Sequence, residues 1–187
     1  MRMAARVGLQ SLGVVNSSVL RIDSVQLAIG FGSIRRITMN NKELIERYPY
    51  LQPRNVWTDK VPEDYDYSWT RMDEIEDGWQ ELFLQMCEEI REPLIKAGYL
   101  DEFRFSQLKE KWGHMCCYNF GAPQEVHDII YKYEKLSART CIRCGKPAMK
   151  VSTGWIQPYC LDCARVLEEH MNMMDINEWY EDGEDDA

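Results

Sequence analysis

Four of the seven cysteines stand as two Cys-x-x-Cys pairs, Cys141/Cys144 and Cys160/Cys163, with fifteen residues between the pairs. One turn can place two thiolates on a single ion, so this spacing reads as a four-thiolate zinc site. Between the pairs, Ala148–Thr153 is strand-like, Gly154 breaks it, and Trp155-Ile156-Gln157 forms a second short run. A hairpin of the two runs brings the cysteine pairs face to face, which is the plan of a zinc ribbon, and Gly145 suits a tight turn at positive φ. Disulfides fit less well, because they belong mainly to oxidising compartments and this chain has an odd number of cysteines and no secretory signal. Redox dithiols come singly beside a βαβ pattern. Four protein thiolates leave no coordination position for water or substrate, so the zinc is expected to hold the fold and not to turn over a reaction.

Two further groups of residues invite chemistry. In a strand, His114 and Cys116 share a face while Cys117 points the other way. A second metal site or an activated thiol are the alternatives to core packing there, and packing is expected because no third group is placed to orient the base. From Asp59 to Asp77, eight carboxylates (Asp59, Glu63, Asp64, Asp66, Asp73, Glu74, Glu76 and Asp77) surround Tyr65, Tyr67 and Trp69. They read as a divalent-cation site, as a surface mimicking a nucleic acid, or as a solvated loop, the last favoured because neither an EF-hand register nor a partnering His accompanies them. By contrast, no carboxylate lies between Glu134 and Asp162, where Lys135, Arg139, Arg143, Lys146 and Lys150 sit near Trp155 and Tyr159. Cations interleaved with aromatics bind single-stranded nucleic acid through phosphates and stacking; the competing role is to balance the thiolate centre and the acidic body. No Walker loop, dinucleotide fingerprint, nucleophile elbow or zinc-protease helix is present, so no enzyme is expected.

The elements that position these residues follow from periodicity. Of 187 residues, 45% are hydrophobic, enough for a real core, and no apolar run approaches a membrane span. The net charge is −9; residues 1–38 contribute +4, so the remainder carries −13. The first 38 residues read as a transit peptide, as a β-rich arm with strands at 19–22 and 25–29, or as sequence upstream of a natural start at Met39; the last is favoured because a capped helix, Asn41 to Tyr48, follows at once. Tyr48 to Asn55 reads as an extended Pro and aromatic stretch, and Tyr65 to Trp69 as a strand with one apolar face. Trp79 to Ala97 is an amphipathic helix stopped by Gly98, with Cys87 an inert buried thiol and Pro93 predicting a kink near Glu89 or two helices meeting there. Phe103–Trp112 and His114–Phe120 form a β-hairpin about Gly113, with Leu108 and Trp112 on one face. Gln124 to Ser137 is a helix, Ala164 to Met174 another, and Asn177 to Ala187 a disordered acidic tail. The expected fold is therefore α+β, a small helix and β-hairpin body (39–137) carrying a C-terminal zinc ribbon and terminal helix (138–175) and an acidic tail (176–187). No Gly/Ser-rich spacer separates body and ribbon, so the two are expected to pack together.

The stretch Tyr48-Pro49-Tyr50-Leu51-Gln52-Pro53-Arg54-Asn55-Val56-Trp57, with Asp64-Tyr65-Asp66-Tyr67, Asp77-Gly78-Trp79, Met86-Cys87-Glu88-Glu89, Thr140-Cys141-Ile142-Arg143-Cys144-Gly145-Lys146-Pro147-Ala148 and Ser152-Thr153-Gly154-Trp155, resembles a family of uncharacterised phage and prophage proteins. The resemblance covers about residues 43–163 and implies the four cysteine ligands and a mobile-element setting. The expected function is a cytoplasmic, non-enzymatic zinc protein that binds a basic protein partner through Asp59, Glu63, Asp64, Asp66, Asp73 and Glu74, for instance to inhibit a host nucleic-acid-binding or CRISPR-type defence enzyme. The alternative is a nucleic-acid-binding adaptor that uses Arg143, Lys146, Lys150 and Trp155 on the ribbon.

Overall fold

Asn40 opens the first helix with a reciprocal cap: its side chain accepts from the Glu43 N–H and the Glu43 carboxylate accepts from the Asn40 N–H, both at 3.0 Å. In this computed structural model, which describes residues 39–55 and 57–182, the helix α1 spans Asn41–Arg47. The strands read at 19–22 and 25–29, and the last five residues of the tail, lie outside the described residues.

The chain then departs from its expected extended course. Pro49–Leu51 form a 3-10 turn, because Pro49 is preset for the first turn and the Leu51 N–H donates to the Tyr48 carbonyl at 2.9 Å. The turn drives Tyr48, Tyr50 and Leu51 into the core. Tyr65 to Trp69 is not a strand. Tyr67 has φ 62°, and the Asp66 carboxylate takes the Ser68 N–H at 3.0 Å, a local bond that competes with strand pairing. A second 3-10 turn, Arg71–Glu74, is capped by Thr70 and Asp73, and a third, Asp77–Trp79, leads into α2 (Gln80–Ala97).

Helix α2 runs unbroken through Pro93 and ends at Gly98 with φ 73°. The expected meeting of two helices at Glu89 does not occur. The carbonyl deprived of its donor by Pro93 belongs to Glu89, an exposed residue, where water can replace the lost bond. Phe83, Met86, Cys87, Ile90 and Leu94 form its buried stripe, as the periodicity predicts.

Strands β1 (Arg104–Lys111) and β2 (His114–Phe120) pair antiparallel with a bulge between Phe105 and Gln107. Trp112 (φ 54°) and Gly113 (φ 80°) form the two-residue connection, the paired positive φ values of a primed turn. Trp112 therefore stands in the turn, exposed, and does not share a buried face with Leu108. Helix α3 (Gln124–Ser137) lies along this hairpin and blunts its β2 edge: the Met115 N–H donates to Ser137 Oγ at 2.8 Å and the Cys117 N–H to Glu134 Oε1 at 2.6 Å.

The C-terminal third is a three-stranded antiparallel sheet ordered β4-β3-β5, with β3 at Lys150–Ser152, β4 at Pro158–Tyr159 and β5 at Met173–Asp175. The second ribbon strand is displaced from Trp155–Gln157 because Ser152 Oγ donates to the Trp155 carbonyl and accepts from the Gln157 N–H, holding those residues in a turn. Helix α4 spans only Leu161–Leu167; residues expected to prolong it instead complete the open edge of β3. The tail begins as α5 (Ile176–Asp182), anchored by the buried Ile176 and by Tyr180, whose ring receives the Arg139 guanidinium at 4.2 Å.

Body and ribbon share one core, since Cys141, Ile142, Tyr159, Cys160 and Ala164 join Trp79, Phe83 and Met86 in a single buried cluster. At the seam the Gly78 N–H donates to the Ile142 carbonyl at 2.9 Å, and the Trp79 indole N–H to the Thr140 carbonyl at 2.8 Å. A Cβ on Gly78 would lie 2.1 Å from the Cys141 carbonyl oxygen, whereas one on Gly98 meets nothing within 4 Å. Gly78→Ala is thus expected to cost about 2–3 kcal/mol, against about 1 kcal/mol for the backbone strain of Gly98→Ala, in urea denaturation at fixed metal concentration. Equal losses for the two variants would show that the seam tolerates a side chain.

Candidate metal centre

The first cysteine turn is closed from both ends. The Gly145 N–H donates to the Cys141 carbonyl at 2.9 Å, the Cys141 N–H to the Lys146 carbonyl at 2.8 Å, and Gly145 takes φ 74°, as its place after the second cysteine predicts. The Ile142 N–H donates to the Pro158 carbonyl at 3.0 Å, which ties this turn to the strand leading into the second pair. There Cys160 occupies the N-cap of α4 and Cys163 its first turn, so a helix start replaces a second loop.

These two supports bring all four sulfurs within 4.8 Å of one another. Cys144 Sγ lies 3.5 Å from Cys160 Sγ and 3.7 Å from Cys163 Sγ. A tetrahedral ion with metal–sulfur bonds of about 2.3 Å needs sulfurs roughly 3.8 Å apart, so the set fits a single ion. Cys141 and Cys160 are buried, Cys163 is half-buried and Cys144 is exposed. The centre is therefore seated in the core on one side and open to water on the other.

Protonation of the cluster is uneven. Burial opposes charge on Cys160, yet the Cys163 N–H and the neighbouring sulfurs outweigh it and hold this thiol at about 7. Burial first, and the other sulfurs next, push the Cys163 thiol up, and burial likewise raises Cys144. Thiolates packed this closely repel one another, and a divalent cation held at their centre would offset that charge. Cys141, Cys144, Cys160 and Cys163 are positioned to hold a metal ion, with donors and spacing consistent with zinc.

Among the ribbon cations, the fold pairs Lys146 and brings acidic residues near Lys150 and Arg143, which their sequence neighbourhood does not reveal. Lys146 pairs with Asp162 at 2.8 Å across the two cysteine turns. Lys150 stands opposite Asp175 in the β3–β5 register. Arg143 lines a cavity of about 350 Å³ together with Glu76, Asp77, Gln157 and Tyr159. Trp155 remains 74% exposed, and the turn it belongs to touches the hairpin tip, because a Cβ on Gly113 would lie 3.1 Å from the Ile156 side chain. Trp112, next to Gly113, is 68% exposed, so each of the two touching turns carries an exposed tryptophan.

Among the described residues, no three carboxylates of the acidic segment converge on a common point. Asp59 meets Arg54 at 3.6 Å, Asp73 accepts from the Thr70 N–H at 2.7 Å, and Glu74 pairs with Arg71 at 2.9 Å. Glu63 and Asp64 are exposed, and neither has a hydrogen bond or ion pair among the described residues. His114 and Cys116 do share a face, with Nε2 and Sγ 3.4 Å apart. Burial raises the Cys116 thiol and lowers the His114 imidazole, which is the reverse of what a thiolate–imidazolium pair requires. Cys87 is fully buried with its thiol raised, an inert core side chain as read.

No helix among the described residues is long and apolar enough to cross a membrane. Comparison with protein-family models, with curated proteins and with solved structures finds no match.

The chain is expected to take up one divalent transition metal ion, followed by the thiolate absorption of its cobalt form, and to lose that uptake with Cys141→Ser or Cys160→Ser. Metal binding displaces thiol protons, so affinity should rise with pH and the ion should leave on acidification. Melting that is unchanged by a chelator would show that no metal supports the fold.

Proposed function

We propose that this chain is a non-enzymatic zinc protein that works by binding a basic protein through its acidic loop, residues 57–77. The four-sulfur centre has the donor set of a closed structural zinc site, with every coordination position taken by the protein. The observation that carries the binding role is the exposed state of Glu63 and Asp64, without an ion pair among the described residues, in one loop with the exposed side chains of Trp57, Val61, Tyr67 and Trp69. Apolar rings left in water among unneutralised carboxylates make a surface complementary to a cationic protein face. The phage-type resemblance of residues 43–163 adds a setting in which the target is a host nucleic-acid-binding or CRISPR-type defence enzyme, engaged where it would otherwise hold phosphates. Lysine-rich and arginine-rich peptides are expected to bind in a salt-sensitive manner, and Glu63→Gln with Asp64→Asn to weaken binding several-fold in calorimetry. Undiminished affinity in that double variant would count against the loop; Asp73 is unsuited to the test because it caps the Arg71–Glu74 turn.

A second reading, single-strand binding by the ribbon, is favoured by one observation, the paired exposure of Trp155 and Trp112 at touching turns. It predicts a gel shift with single-stranded oligonucleotides at low salt that Trp112→Ala, Trp155→Ala and the Lys146→Glu/Lys150→Glu pair each abolish. Silence of the unmodified protein ends this reading.

A further inference from the structure

We infer that the turn Tyr65–Trp69 is a receptor for a cationic side chain, an arginine or lysine of the bound partner, seated on the Tyr67 and Trp69 rings between the Asp64 and Asp66 carboxylates. The inference rests on the acidic-loop reading above and specifies which chemistry that loop recognises.

The chain's own use of its aromatic rings points to the ligand. Elsewhere five tyrosines lie under the chain's own cations: Arg47 lies over Tyr48, Lys109 over Tyr118, Lys132 over Tyr133, Lys135 over Tyr131 and Arg139 over Tyr180, at 4.2 to 5.5 Å from the ring centres. Among the described residues, no lysine or arginine covers Tyr65, Tyr67 or Trp69. The two arginines nearest in sequence are already engaged, Arg54 with Asp59 and Arg71 with Glu74. Between Asp59 and Asp77, eight carboxylates stand against Lys60 and Arg71 alone, so the segment carries a net charge of −6 that attracts an incoming cation.

The turn is also held in shape while its rings stay outside. Tyr67 is 41% exposed and Trp69 44% exposed, and the Tyr65 and Tyr67 rings meet at 5.1 Å and 55°. The backbone beneath them is pinned. Asn41 Nδ2 of α1 donates to the Tyr67 carbonyl at 2.8 Å, the Tyr65 hydroxyl donates to the Trp69 carbonyl, and the Ser68 N–H donates to Asp66. Tyr67 keeps a left-handed backbone (φ 62°) that a tyrosine adopts at a cost. Rings presented by a pinned, strained turn lose little freedom when a ligand arrives, which favours binding.

The test is calorimetric titration of the full zinc-loaded chain with octa-arginine and octa-lysine peptides. Tyr67→Leu with Trp69→Leu keeps apolar bulk but removes the ring faces, and is expected to weaken binding about tenfold, while Tyr67→Phe with Trp69→Phe stays within about twofold of the parent chain. The Phe pair also guards against misfolding, because it retains the same positions in aromatic form. Leu variants that bind as tightly as the parent, while Glu63→Gln/Asp64→Asn binds weakly, would overturn the ring receptor and leave the acidic-loop reading standing. A parent chain that binds neither peptide would overturn both.

Discussion

Where α2 begins, the chain has a hydrogen atom in place of a side chain, and the backbone of the first cysteine turn occupies the space a methyl group would need. That approach lets the Gly78 N–H and the Trp79 indole reach carbonyls on either side of Cys141, so the main helix of the body is hydrogen-bonded directly to the metal-binding turn. A four-sulfur centre stabilises a fold by tying together segments distant in sequence. Here the segments are the two cysteine turns, and the seam at Gly78 passes their order to α2 and the core around Phe83 and Met86. The four-sulfur cluster and the hydrophobic core are therefore packed as one body, in keeping with the absence of a flexible spacer after α3.

The acidic loop obeys a different economy. Its buried apolar anchor is Ile75, with Met72 packed beside it, and the rest is closed by capping and side-chain bonds: Asp73 with Thr70, Asp66 with Ser68, Glu74 with Arg71, Asn41 with Tyr67. Several carboxylates that look like free surface charge are thus structural. What remains unspent is a short arc of Glu63, Asp64 and the neighbouring rings. Polar closure of a loop over exposed aromatics is costly in a purely structural element, because each ring in water forgoes burial worth about 25 cal/mol per Å².

Much of the site was legible in the residues. The Cys-x-x-Cys spacing predicts the sulfur cluster because two thiolates per turn is a local property, and the amphipathic period predicts α2 and α3 because a helical stripe is also local. The hairpin about Gly113 and the left-handed turns at Gly98 and Gly145 follow from glycine's freedom at positive φ. Even the pairing of His114 with Cys116 is visible in strand alternation, although burial raises the thiol and lowers the imidazole, against a charged pair.

The rest depended on partners far away in the chain. Nothing near Met173 announces a strand; it becomes one because β3 offers an open edge. Tyr65–Trp69 alternates like a strand, but among the described residues no strand pairs with it, and side-chain bonds claim its backbone first. Lys146 reads as a free cation until the second cysteine turn brings Asp162 within 2.8 Å. By itself the sequence determined which cysteines cluster, the main helices and the hairpin, all of which arise within a few turns of chain. Tertiary structure alone decided which charges are neutralised and which rings stay in water, because both depend on distances between residues that the chain brings together only when it folds.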